Sequence, residues 1–232
     1  MARFKISSIF NSGEKYRIIT KYKEVPIKAN LLLKWVDDEG RLLGFDWGNI
    51  HLKGAFSSLD PVYVELSRKE YAITSVFSNL GKELVLMLEN FTEPPDFIKR
   101  RSVRVEPDEN NPVRVSLTIE GVSVSTTAKD ISELGVGVDL DPEVHGKFIK
   151  FLKEKLNHLS EKDIIEFGIR LTLPECGEVA GEGKLKNVIK SGRNVYARLG
   201  FEVSFSPSDL NKIRKYVINR QKEIIKSLRM VE

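Results

Sequence analysis

The chain has a single cysteine, Cys176, three histidines and one glutamine among its 232 residues. One thiol excludes an internal disulfide and any metal site built on clustered thiolates. His51, His145 and His158 stand too far apart for the closely spaced pair of a metal-binding helix. No apolar run reaches the length of a membrane-spanning helix, and no secretory leader is visible. A reduced, cytoplasmic protein without cofactor or metal is therefore expected. Scarce glutamine amid abundant Lys and Glu is a composition that heat-adapted proteins favour.

Catalytic signatures are missing as well. There is no G-x-S-x-G elbow, Walker loop, strand-borne G-x-G-x-x-G or H-E-x-x-H. Asp37 and Asp38 lie in a turn context, where solvated acids are the rule. Cys176 falls in a loop near Pro174. The "GEGK" at 181–184 is too short to cradle a phosphate and reads as a turn. No enzymatic activity is expected. A formal net charge of +4 is too small to mark a bulk nucleic-acid binder, so any anion site must be local.

The patterning that is present is mostly β. "NLLLKWVDDEGRLLGFDW" predicts two strands around an acidic turn, and "PVYVEL", "YAITSVF" and "ELVLMLE" predict further strands. Pro94 and Pro95 interrupt any regular element, which sets a domain junction there: 1–94 a β-rich accessory domain, 95–232 a second domain. Beyond the junction, Val113, Val115, Leu117 and Ile119 alternate with polar residues, and Glu120-Gly121 turns the chain into Val122 and Val124. Phe167, Ile169, Leu171 and Leu173 alternate likewise, as do Val195, Ala197, Leu199, Phe201, Val203 and Phe205. Short strands with tight turns predict a closed or nearly closed barrel.

Two helices interrupt the strands. Asp141 as N-cap and Pro142 at the first position start one, with Phe148, Leu152, Leu156 and Leu159 as its apolar stripe. Ser206, Pro207 and Asp209 start the last one. Leu210, Ile213, Val217, Ile224 and Leu228 form its apolar face, and Lys212, Lys215, Arg220, Lys222, Lys226 and Arg229 are read as a solvated cationic face.

Against this background "IKRRSVRVEP" stands out. It places Lys99, Arg100, Arg101 and Arg104 within six positions, directly behind the Pro-Pro break. A second stretch, "KDISELGVGVDL", holds Asp130, Ser132 and Gly135 at the start of a strand. Guanidinium groups fork onto phosphates and onto guanine O6 and N7, whereas a carboxylate accepts from guanine N–H groups. Ser132 adds a small polar contact. Gly135 either leaves room for a base or permits a turn.

R-x-x-x-R (Arg100, Arg104) followed one hairpin later by D-x-S-x-x-G (Asp130, Ser132, Gly135) resembles the PilZ domain, a bacterial receptor module for cyclic di-GMP. The resemblance covers roughly residues 97–230. It implies a mainly β protein of two barrel-type domains, the second a six-stranded PilZ-like barrel with an inserted helix near 142–159 and a C-terminal helix. It implies that Arg100 and Arg104, on a flexible arm, wrap cyclic di-GMP while Asp130 and Ser132 contact a guanine. Arg101 is counted with the site, and Lys99 is a position that influences ligand stoichiometry. The inserted helix departs from the family's short connection. By position and β content, the first half is similar to the accessory barrel of flagellar-brake-type receptors.

The function implied is a non-enzymatic receptor. It binds cyclic di-GMP at the domain junction and acts on a downstream protein partner in motility, adhesion or biofilm output. Monomer and homo-oligomer both stay open. The alternative is a nucleic-acid-binding barrel that sets the same arginines and the basic terminal helix against phosphates.

Overall fold

A computed structural model describes residues 5–48, 51–57, 59–79, 81–157, 164–191 and 196–229, apart from the side chains of 190, 191, 196 and 197. The chain divides into two units, residues 1–101 with 223–232, and residues 102–222. Pro94 and Pro95 fall inside the first. Each unit contains one closed, six-stranded antiparallel barrel.

The first barrel comprises β1 (Lys15–Tyr22), β2 (Val25–Asp37), β3 (Leu42–Asp46), β4 (Val62–Glu65), β5 (Tyr71–Ser78) and β6 (Glu83–Thr92). Its strand order is β1-β2-β3-β6-β5-β4, closed by the pairing of β1 with β4. Leu31, Leu33, Leu43, Phe45, Val62, Val64, Leu84 and Leu86 fill it. β1 escapes sequence reading because Ile18, Ile19 and Thr20 are buried consecutively, which erases the period of two. A two-residue turn, Lys23-Glu24, joins β1 to β2, with φ of 48° and 64°. Positive φ at both positions gives a hairpin turn the twist of its strands, and it normally selects Asn or Gly.

The second barrel comprises β7 (Arg114–Ile119), β8 (Val122–Ser132), β9 (Gly135–Leu140), β10 (Glu166–Leu173), β11 (Gly177–Ser191) and β12 (Tyr196–Phe205), in the order β10-β11-β12-β9-β8-β7. The alternation read from β7 and β10 is realised: Val113, Val115, Leu117, Ile119, Phe167, Ile169, Leu171 and Leu173 are all buried. In β12, Leu199, Phe201 and Val203 point inward, and Phe201 meets Phe167 edge-on at 5.0 Å. Val195 and the side chain of Ala197 lie outside the described residues. "GEGK" is not a turn but the middle of β11. Its glycines serve close packing, since a Cβ on Gly181 would lie 2.4 Å from the Ser204 carbonyl, and one on Gly183 2.2 Å from Ile169.

Three helices accompany the strands: α1 (Asp96–Lys99), α2 (Pro142–Asn157) and α3 (Pro207–Arg229). α2 is the expected insertion, capped where Asp141 Oδ1 accepts from the Glu143 N–H at 2.8 Å. Phe148, Ile149 and Leu152 are buried, and Leu159 lies outside the described residues. α3 starts where Ser206 Oγ accepts from the Asp209 N–H at 3.2 Å. Ile213, Tyr216 and Val217 are buried in its first part, and Ile224 and Leu228 in the part grouped with the first unit.

Arg220 corrects the reading of α3. Instead of facing water, its side chain is only 9% exposed. Its Nε donates to the Glu106 carbonyl at 2.9 Å and its Nη1 to Asp108 Oδ2 at 3.0 Å. A helix face read from its own sequence cannot anticipate a loop more than a hundred residues earlier. Charge-assisted bonds from a buried group are strong, and losing one partner is costly. Replacing Arg220 with Ala is expected to lower unfolding stability by about 2–3 kcal/mol, with Arg220→Lys between the two because it keeps the charge without the fork. Denaturant titration checks this, and an unchanged midpoint contradicts it.

Candidate anion-binding site

The site is built around an irregularity in β8. Ala128 pairs with Val138 and Asp130 with Gly137, so Lys129 is an extra residue on one strand, a β-bulge. Bulges bend a strand and re-aim the side chains that follow. Before the bulge β8 alternates; after it Asp130, Ile131 and Ser132 are buried in succession. Asp130 and Ser132 therefore close β8 and Gly135 opens β9, which corrects the expectation that all three lie at the start of one strand.

Two glycines of β9 accommodate this arrangement. A Cβ on Gly135 would sit 2.3 Å from the Phe201 carbonyl oxygen, so glycine is required there by the neighbouring backbone of β12. Neither a base nor a positive φ is needed to explain it. A Cβ on Gly137 would sit 2.5 Å from Asp130 Oδ2. Gly137 makes room for the carboxylate and was missed, although its spacing from Gly135 was legible. Ser132 Oγ accepts from the Leu134 N–H and donates to the Gly135 carbonyl, both at a long 3.4 Å, which ties the hydroxyl to the β8–β9 turn.

Arg104 reaches this point because its neighbour is anchored. Val105 is fully buried and pairs with Ile131 through two backbone bonds of 2.9 and 3.0 Å. Arg104 Nη1 donates to Asp130 Oδ1 at 3.2 Å, with the arginine side chain 37% exposed and the aspartate 8%. The pair thus joins a buried carboxylate to a guanidinium that solvent, or a ligand, can reach.

Arg100 has a different partner. Phe97 of α1 meets Tyr63 edge-on at 5.6 Å. One residue past the helix, Arg100 Nη1 donates to Glu24 Oε2 at 2.8 Å, while Lys21 Nζ donates to Glu24 Oε1 at 2.6 Å. Burial works against the charge on Glu24, but the hydrogen bonds from Lys21 and Arg100 outweigh it and hold the carboxyl below its ordinary value. A cavity of about 530 Å³, lined in part by Lys21, Tyr63, Phe97, Lys99 and Arg100, opens beside this cluster. Lys99 is exposed and lies 3.3 Å from Glu93. Arg101 is exposed and has no ionic partner among the described residues.

The structure thus brings Arg104, Asp130, Ser132 and Gly135 together in the second unit and sets Arg100 against Glu24 in the first. Glu24 carried no sequence signal, since it lies 76 positions before Arg100. Among the described residues no cluster of His, Cys, Asp and Glu could hold a metal ion, and no helix is long and apolar enough to cross a membrane.

No family model matches the chain. A protein of Aquifex aeolicus (strain VF5), described only as uncharacterized, is 43% identical over 98% of this chain and 96% of its own. The chain belongs to that protein's family. Among solved structures, the chain is similar to the Escherichia coli YcgR–c-di-GMP complex at 13% identity, covering 98% of this chain and 92% of that one, with a TM-score of 0.44. It is also similar to the K. pneumonia MrkH–c-di-GMP complex at 15% identity, covering 91% and 90%, with a TM-score of 0.47. The PilZ domain of Escherichia coli YcgR with c-di-GMP is similar as well, at 15% identity, covering 56% of this chain and 96% of that one, with a TM-score of 0.38.

The two glycines separate two kinds of failure. Gly135→Ala drives a methyl into backbone and is expected to cost about 2 kcal/mol or more of stability. Gly137→Ala meets a side-chain carboxylate that can move, so the barrel should hold while the Arg104–Asp130 contact is lost. Thermal unfolding beside a crystal structure of each variant checks the distinction, and equal destabilisation by both contradicts it. A lowered Glu24 pKa adds stability that is fully present above the ordinary glutamate value and is lost as pH falls through the lowered one. The difference in unfolding stability between the wild-type protein and Glu24→Gln is therefore expected at neutral pH and should shrink towards zero in acid. A difference that stays constant with pH contradicts the assignment.

Proposed function

We propose that the protein is a non-enzymatic receptor for cyclic di-GMP. The observation that carries this reading is the contact between Arg104 and Asp130 beside Ser132 and Gly135. A bulge, an anchored valine and two close-packed glycines join residues from two separated motifs into one polar point on a barrel. A dianionic ligand carrying guanine edges suits it chemically. A guanidinium forks onto phosphate or onto O6 and N7, and a buried carboxylate accepts from guanine N–H groups. Arg100 and Arg101 lie on the segment that joins the two units in sequence, and Lys99 precedes them. In this reading they close on the ligand from that side, and a change in how the barrels are arranged is the output that a downstream protein partner reads. The protein then works in the cytoplasm and catalyses nothing.

The nucleic-acid alternative draws on the basic face of α3. Arg220, at the middle of that face, is committed to Glu106 and Asp108, which weakens it. Removing a charged hydrogen-bonding partner typically costs about 2 kcal/mol or more, so Arg104→Ala is expected to weaken cyclic di-GMP binding at least tenfold with the fold intact. Calorimetric titration of wild-type and variant protein checks this. Equal affinity in both, with unchanged thermal midpoints, overturns the reading.

A further inference from the structure

Glu24 has no place in either motif, yet the geometry gives it a close hold on a motif arginine. Three features need a common reason. First, Glu24 occupies a position with φ of 64° in a two-residue hairpin turn, where Gly or Asn relieves the backbone and a glutamate does not. Second, its side chain is only 13% exposed, although it sits at a turn. Third, it has two cationic partners rather than one, Lys21 at 2.6 Å and Arg100 at 2.8 Å. A turn that only had to reverse the chain would not need a half-buried carboxylate in left-handed backbone.

We infer that Glu24 is the resident counter-ion of Arg100, an acid that the ligand's phosphate displaces and that thereby sets the affinity of the site. This rests on the receptor reading above. The geometry favours the exchange. Arg100 contacts Glu24 through one nitrogen, whereas a phosphodiester offers two oxygens to the same fork. Lys21 stays on Glu24 when Arg100 leaves, so no buried carboxylate is stranded. The cavity beside Arg100, where Lys21, Lys99 and Arg100 outnumber Glu93 and Asp96 in the lining, gives an anion a way in. The Arg100 side chain is 29% exposed, enough for an incoming oxygen to meet it before the old pair breaks. Every ligand bound through Arg100 must first overcome this internal competitor, which raises its apparent dissociation constant.

The test uses the full chain and four proteins: wild type, Glu24→Gln, Glu24→Gly and Glu65→Gln. Glu24→Gly removes the carboxylate and also relaxes the turn, so it guards against a folding defect in Glu24→Gln. Glu65→Gln removes an acid of the same unit that pairs with Arg17 and lies outside the lining of the cavity. Partly exposed ion pairs are weak, so both Glu24 variants are expected to bind cyclic di-GMP about threefold more tightly than wild type, and Glu65→Gln to bind as wild type does. Without ligand, tryptic cleavage after Arg100 and Arg101 should be about threefold faster in the Glu24 variants. Affinity that is unchanged or weaker in both Glu24 variants overturns the inference. So does an equal gain in Glu65→Gln, which would reduce the effect to net charge. If wild-type protein binds no cyclic di-GMP, the receptor reading fails and the cleavage rates alone decide: faster cleavage supports the pairing as a latch on the arm, and unchanged cleavage overturns it.

Discussion

The two backbone hydrogen bonds between Val105 and Ile131 are the constraint on which the candidate site depends. Val105 is fully buried, so the chain segment before β7 is pinned at one residue, and Arg104 has little freedom to be anywhere but beside the end of β8. The bulge at Lys129 then turns Asp130 to meet it. Arg220 holds the next residues, Glu106 and Asp108, from the side of α3. None of these three devices lies in the motif itself. They convert a string of residue types into a geometry, and the burial of Val105 supplies the energy that keeps the geometry in place.

A second consequence concerns charge. A cluster of arginines near a Pro-Pro break suggests cations waiting in solvent. Arg100 and Arg104 instead each hold a carboxylate, Glu24 and Asp130. Internal pairing keeps a basic segment from attracting every polyanion it meets, and in the proposed receptor it makes ligand capture an exchange of partners. Exchange favours a ligand whose charges match the forks in geometry as well as in sign. The Arg100–Glu24 pair, partly exposed on the arginine side and held through one nitrogen, is weak enough to be exchanged.

The sequence revealed the barrels more fully than the site. Period-two runs such as Val113 to Ile119 and Phe167 to Leu173 are written directly in residue order, and the turn at Glu120-Gly121 and the caps at Asp141 and Ser206 are equally local. β1 was hidden because three successive residues are buried, and the "GEGK" of β11 misled because its glycines answer to neighbouring strands instead of to a turn. Arg100, Arg104, Asp130, Ser132 and Gly135 were visible as residue types at a spacing. What they touch was not. Glu24, Gly137 and Arg220 act through contacts distant in sequence or across a register shift, and neither propensity nor periodicity encodes those. Arg220 even carried a misleading signal, since a cation on a basic helix looks solvated until its loop partner is seen.

The most direct measurement is a calorimetric competition on the wild-type protein, titrating cyclic di-GMP and a short single-stranded oligonucleotide at low and at high salt. The account predicts saturable binding of the cyclic dinucleotide that persists at high salt, because a shaped set of forks and acceptors recognises it. The oligonucleotide should bind weakly and lose its affinity steeply as salt rises. Steep salt dependence for both, or heat from the oligonucleotide alone, would contradict it.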